Sequence, residues 1–143
     1  MGSTEEDINH DLRLLSLTLL LSSTFLYNTL GAIDENAIDS LGLVLRLCEH
    51  LKSESFNDFP DFYWILRDFS LALVGKDNNP LTTKMYLENC LSAQPGDSEV
   101  RNKIRASIRS AFANRNCFTF VRPLTDESNL QNLDKLELDQ LRP

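Results

Sequence analysis

Apolar and polar positions along the chain fall into blocks whose period changes several times. Leu12–Leu21 is apolar nearly all round, which suits a buried helix or a buried strand, and periodicity does not separate the two. Ser22–Asn28 shifts to β-branched and aromatic residues ahead of Leu30-Gly31, so the run reads as a helix followed by a buried strand. Asp34 offers an N-cap, Glu35 suits the helix dipole, and Ile38, Leu41, Leu45, Cys48 and Leu51 recur at three- and four-residue steps. That stripe predicts one amphipathic helix. Ser53–Asn57 is a polar connection closed by Pro60.

Asp61–Phe69 packs aromatic and branched residues between turn chemistry and a charged end, the pattern of a buried parallel strand with a polar mouth. Gly75–Pro80 is a loop. Thr82 can cap a helix reaching Leu91, and Pro95-Gly96 breaks the chain again. Ser98 starts another helix, with Val100, Ile104, Ile108 and Phe112 on one face and Arg101, Arg105 and Arg109 on a second, solvated one. Cys117–Val121 is a third strand, stopped by Arg122-Pro123, and Leu130–Leu141 carries spaced leucines that suggest a further helix. Strands alternating with helices imply right-handed crossovers and an α/β fold: a parallel sheet with helices on both faces. Ligands of such sheets sit at the carboxyl ends of the strands, which directs attention to Arg67, Asp68 and Arg122.

Composition narrows the function. The chain has 143 residues, 42% hydrophobic and 24% charged, enough for one domain burying about two-thirds of its unfolded surface. A net charge of −7 argues against a general nucleic-acid binder, which needs a basic face. Cys48, Cys90 and Cys117 lack the spacing of a zinc site or disulfide frame and read as reduced, buried thiols in a cytosolic compartment. Serines and threonines interrupt Leu14–Leu30, so no transmembrane segment is expected. No leader is evident, and Glu6 stands where a myristoylation signal needs Ser or Thr. His10 reads as a solvent-facing histidine, His50 as a residue late in a helix whose partial charge suits the dipole, and Trp64 as core packing.

A carboxylate fixed at a strand exit has a definite chemical use. It accepts two parallel hydrogen bonds from the imino N–H and exocyclic amino group of guanine, a donor pair that adenine lacks. A preceding arginine covers a base face with its planar head. Taken alone, Arg67-Asp68 reads by default as a local ion pair or a solvated strand end. The flanking residues add to it. Leu20–Asn28, Phe59–Trp64, Leu66–Leu71, Pro80-Leu81-Thr82 with Tyr86-Leu87, and Cys117–Pro123 follow one another as in the large GTPases of the guanylate-binding-protein and atlastin family, within the dynamin-like superfamily, which the chain resembles over nearly its whole length.

The resemblance implies a partial P-loop-GTPase-like domain, with residues 1–124 its C-terminal part and 125–143 a guanine-cap or linker region leading toward a helical domain. It implies that Asp68 reads guanine, that Arg67 stacks near it, and that Arg122 is a cap or dimer contact. The 143 residues contain no GxxxxGK[ST]. The N-terminal strands, phosphate-binding loop, catalytic arginine and Mg²⁺ ligand of the family are therefore expected to be missing, with no catalytic or metal residue among those present. GTP or GDP would be held by its guanine end only. The expected protein is a fragment of a GTP-hydrolysing enzyme, inactive alone and cytoplasmic, with membrane association left open for the full-length family. A non-catalytic module that homodimerises, or pairs with a full-length relative through Arg122, is the alternative. An unpaired apolar strand edge near Ser22–Asn28 would make it poorly soluble.

Overall fold

The structure, a computed structural model, describes residues 3–51, 59–75, 77–124, 126–137 and 141. Met1-Gly2, the Ser53–Asn57 connection and the His50 side chain lie outside the described residues. The elements run α1 (Ser3–Leu21), β1 (Thr24–Leu30), α2 (Glu35–Leu51), β2 (Asp61–Arg67), α3 (Thr83–Leu91), α4 (Glu99–Ala111), β3 (Arg115–Thr119) and a 3₁₀ segment (Glu127–Lys135). The strands form one parallel sheet in the order β1-β2-β3. This is the expected α/β class, a parallel sheet with helices packed against it. The described helices α2, α3 and α4 cover one face, where helices on both were expected, because the inward residues of β1, β2 and β3 all turn to that side.

Local chemistry sets the helix starts. Asp34 Oδ1 accepts from Ala37 N at 2.8 Å, Thr82 Oγ1 from Met85 N at 3.1 Å, and Ser98 Oγ from Arg101 N at 3.2 Å. Each cap satisfies a backbone donor that the helix leaves orphaned. In α1, Ser16 and Thr18 donate their hydroxyls to the carbonyls of Leu12 and Leu14, both at 2.8 Å. This internal bonding lets polar side chains sit in an apolar helix.

The core fills one face of the sheet. Phe62, Trp64 and Leu66 of β2, Phe25 of β1 and Cys117 of β3 are buried beneath Ile38, Leu41 and Leu45 of α2, Leu87 and Leu91 of α3, and Ile108 of α4. Phe112 stacks on Phe62 with ring centroids 4.5 Å apart, and Trp64 meets Tyr27 edge-on at 5.1 Å. Such pairs add about 0.5–1.5 kcal/mol each beyond the area they bury. On the opposite face Leu26, Leu30 and Phe118 are exposed, with Phe118 stacked on Tyr63 at 5.9 Å.

Several elements depart from the sequence expectation. Ser22 N still bonds Thr18 O, so β1 starts at Thr24 and follows β2 as far as the Leu30–Arg67 register pair. α1 is not enclosed: Leu14, Leu17 and Leu21 are exposed, because the helix lies along α2 with Leu19 buried. Among the described residues of the tail, Glu127–Lys135 forms a 3₁₀ segment kinked at Asn132, where a helix was expected from Leu130. Asp126 Oδ1 accepts from Ser128 N and Ser128 Oγ and turns the chain just before that segment starts.

The largest departure is in α4. Val100 is 61% exposed, whereas Arg105, expected on a solvated face, is 1% exposed. Arg105 pairs with Glu35 at the start of α2 and with Asp97 Oδ2 at 2.6 Å, and its Nε donates to Cys90 O at 3.1 Å. One guanidinium thus ties α2, the end of α3 and the α3–α4 turn together. A buried charge is tolerable only when paired in this way.

Close approach of α2 and α4 is also built on Gly42. A Cβ there would fall inside the contact distance of the Ile104 Cγ2 methyl, which is anchored at a branch point. Gly42→Ala gains about 1 kcal/mol of helix propensity but incurs overpacking of about 1–3 kcal/mol. Urea unfolding is expected to show a net loss of about 1 kcal/mol, and a gain would mean that the helices separate freely.

The Arg105 cluster has a pH signature. The Arg105 hydrogen bond and the Ser98 N–H hold the Asp97 carboxyl below the usual carboxylate range. As pH falls, the unfolded chain takes up this proton first, near about pH 4. The contribution is complete above that pH and is lost as pH falls through the lower, folded value. Asp97→Asn is expected to melt lower at neutral pH and to lose less between about pH 5 and 3 than the parent chain.

Candidate functional site

β2 is hydrogen-bonded on both sides, so its exit is the most constrained strand end in the sheet. Gly31 N donates to Arg67 O at 2.6 Å from the β1 side. From the β3 side Phe120 N donates to Leu66 O at 2.8 Å and Phe69 N to Phe120 O at 2.9 Å. Between these bonds Asp68 is turned into the left-handed region, with φ of 54°. Outside glycine this conformation is uncommon, and Asp and Asn tolerate it best. The Asp68 carboxylate stands at the mouth of the sheet, beyond the last paired residue of β2.

There Asp68 helps to line a cleft of about 710 Å³ with Phe69, Ser70, Thr119, Val121 and Arg122. Arg122 Nη2 stands 3.5 Å from Asp68 Oδ2, both side chains being a little over one-third exposed. The structure therefore brings Asp68 and Arg122 together, although 54 residues separate them in the chain. Arg67 goes the other way. It emerges on the open sheet face toward β1, where its Nε donates to Asn28 Oδ1 at 2.9 Å. The three charged residues at the strand exits occupy one end of the sheet, with Arg67 and Arg122 on opposite sides of Asp68.

Behind the cleft Phe69 is buried and packs edge-on against Tyr86, centroids 5.5 Å apart. The Tyr86 hydroxyl accepts from Ile33 N at 3.2 Å, and burial pushes its pKa up to about 12. Tyr86 thus fastens the β1–α2 turn to the residue after Asp68. Burial likewise raises the Cys117 thiol to about 12 and lifts Cys90 above its usual value, so neither is a ready nucleophile at neutral pH. Trp64 is fully buried and donates Nε1 to Thr29 Oγ1 at 2.9 Å, which makes it core. His10, read as a surface side chain, is exposed within α1. No cluster of three or more His, Cys, Asp or Glu able to hold a metal occurs among the described residues.

Sequence reasoning did not single out Asn28 or Tyr86 as parts of this site. Asn28 left one signal, a residue of low strand propensity among the aromatic, β-branched and leucine residues of β1. Tyr86 belongs to one of the blocks that carry the family resemblance, but a tyrosine on an amphipathic helix reads as ordinary core and gives no sign of a link to the strand exit.

A parallel sheet with a cleft at its carboxyl end, lined by a fixed carboxylate and a facing arginine, is the arrangement of the open-sheet α/β class. The sequence profile of the "Guanylate-binding protein, N-terminal domain" matches residues 2–143. The chain belongs to the guanylate-binding protein family. It is 39% identical over 162 residues to "Guanylate-binding protein 6" of Mus musculus, covering all of this chain and 26% of that protein. It is 38% identical over 162 residues to "Guanylate-binding protein 1" of Homo sapiens, covering all of this chain and 27% of that protein. The chain thus spans about a quarter of the length of these relatives. No helix among the described residues is long and apolar enough to cross a membrane.

The backbone at Asp68 can be tested apart from any ligand. Asp68→Asn keeps a residue type suited to positive φ, whereas Asp68→Ala does not. Chemical unfolding is expected to show Ala costing about 1 kcal/mol more than Asn. Equal stability of the two variants would mean that the turn relaxes to ordinary dihedrals.

Proposed function

We propose that this chain supplies the base-reading part of a guanine-nucleotide site, with Asp68 as the reader. The observation that carries the proposal is the fixed carboxylate: Asp68 is held at positive φ between two backbone hydrogen bonds at a cleft mouth. A carboxylate with one oxygen turned toward Arg122 still presents acceptor positions for the N1–H and N2–H of guanine. Adenine offers no such pair, and binding it leaves the carboxylate desolvated without a partner. Arg67 flanks the base on the β1 side and Arg122 on the cap side. The relatives, named guanylate-binding proteins, are consistent with this chemistry.

The phosphate end is a separate matter. The 143 residues carry no glycine-rich loop ending in Lys-Ser/Thr, so no residue here is assigned to the β- and γ-phosphates or to Mg²⁺. GTP and GDP are therefore held by these residues through the base alone, and hydrolysis needs groups beyond them. Because phosphate and metal contacts supply most of the affinity of such sites, the 143 residues bind weakly.

Titration of the chain with GMP and with AMP, followed by heteronuclear NMR, tests both statements. GMP is expected to bind in the millimolar range, at least about tenfold more tightly than AMP, with Asp68→Asn abolishing the difference. Indistinguishable binding of GMP and AMP by the parent chain would remove Asp68 as the reader. Micromolar binding or turnover of GTP with Mg²⁺ would place the phosphate grip within these residues.

A further inference from the structure

We propose that Asn28 is a positioning residue for Arg67, setting the orientation in which the guanidinium meets the base. The inference rests on the reading of Asp68 as the base contact and extends that site across the β1–β2 ladder to a residue that the sequence reading gave no role.

Strand geometry puts the pair in reach. Asn28 leaves β1 on the same face as Leu26 and Leu30, and the register sets Leu30 opposite Arg67. Asn28 is thus the diagonal neighbour of Arg67, about 7–8 Å away by backbone, a span that only a long side chain bridges. Arg67 bridges it, and its Nε–H donates to Asn28 Oδ1 at 2.9 Å. Anchoring through Nε fixes the plane of the guanidinium and leaves the terminal nitrogens for other partners.

A purely stabilising role does not explain the pair. Both side chains are exposed, so water would satisfy either one, and exposed polar pairs contribute little to stability. The next residue along β1 shows the contrast: Thr29 satisfies the indole N–H of fully buried Trp64. Asn is disfavoured in strands, and here it stands on a face whose neighbours are Leu26, Leu30, Tyr63 and Ile65. What the bond does provide is order. A free arginine must surrender several rotatable bonds to lie along a base, and an arginine already held surrenders fewer. Because Arg67 covers a base face and does not read its edge, Asn28 affects affinity for purine nucleotides without affecting the choice among them.

The test is a double-mutant cycle on the 143-residue chain, with GMP and IMP as the probes and NMR as the readout. Asn28→Ala is expected to weaken GMP and IMP by the same factor, about three- to tenfold, leaving their ratio unchanged. In an Arg67→Ala background the same substitution has no further effect. The Arg67 Nε–H resonance, slow to exchange with water in the parent chain, is expected to exchange rapidly in Asn28→Ala, while the melting temperature shifts by no more than about 2 °C. Parent-like binding by Asn28→Ala overturns the inference, as does an equal loss in both backgrounds, because Asn28 would then not act through Arg67. Failure of the underlying reading looks different: the parent chain itself binds GMP no better than IMP, and the inference falls with it.

Discussion

The structure depends on β2 being paired on both sides. Among the described strands β2 (Asp61–Arg67) is the central one, paired along its whole length with β1 and over Phe62–Leu66 with β3, and its inward residues Phe62, Trp64 and Leu66 form the floor on which α2, α3 and α4 rest. Parallel strands cannot be joined by tight turns, so each neighbour of β2 arrives by a helical crossover. The helices are the connections that make the sheet possible, and the aromatic stack of Phe25, Phe62 and Phe112 is where those connections meet it. Everything at the strand exit inherits its position from this strand.

That inheritance explains how a surface carboxylate acquires a defined direction. Asp68 follows the last paired residue of β2 and would be free to swing if only one side were bonded. Hydrogen bonds from Gly31 on one flank and to Phe120 on the other leave the turn a single conformation, while Phe69 behind it is buried against Tyr86. A carboxylate fixed in this way can discriminate between partners, since a mismatched ligand leaves it desolvated and unpaired. The two arginines that share the exit are held by different means: Arg122 by the charge of Asp68, Arg67 by the side chain of Asn28 on β1.

Arg105 shows how electrostatics can override an amphipathic pattern. Read along the helix it belongs with Arg101 and Arg109 on a solvated face. In the fold Glu35 and Asp97 converge on it from two other elements, and the burial that would be prohibitive for a lone guanidinium becomes tolerable. Both carboxylates are distant or ordinary in the sequence. Only the packing of α4 across the start of α2 reveals that they share one cation.

The sequence by itself determined the order and type of nearly all the elements, because caps, apolar stripes and strand composition are local. Asp34, Thr82 and Ser98 cap the helices they were expected to cap, Trp64 is core, and the strand exits that attract ligands carry Arg67, Asp68 and Arg122. Strand ends were shifted by about two residues, since they are fixed by the partner's register and not by the strand's own composition. Over Glu127–Lys135 the chain is 3₁₀ and not the expected α-helix, because its backbone is kinked at Asn132. Which charged residues share the cleft was decided by tertiary structure alone. Asp68 meets Arg122 across 54 positions, Arg67 turns to Asn28, and Tyr86 reaches Ile33, all contacts between elements that only the folded sheet makes neighbours.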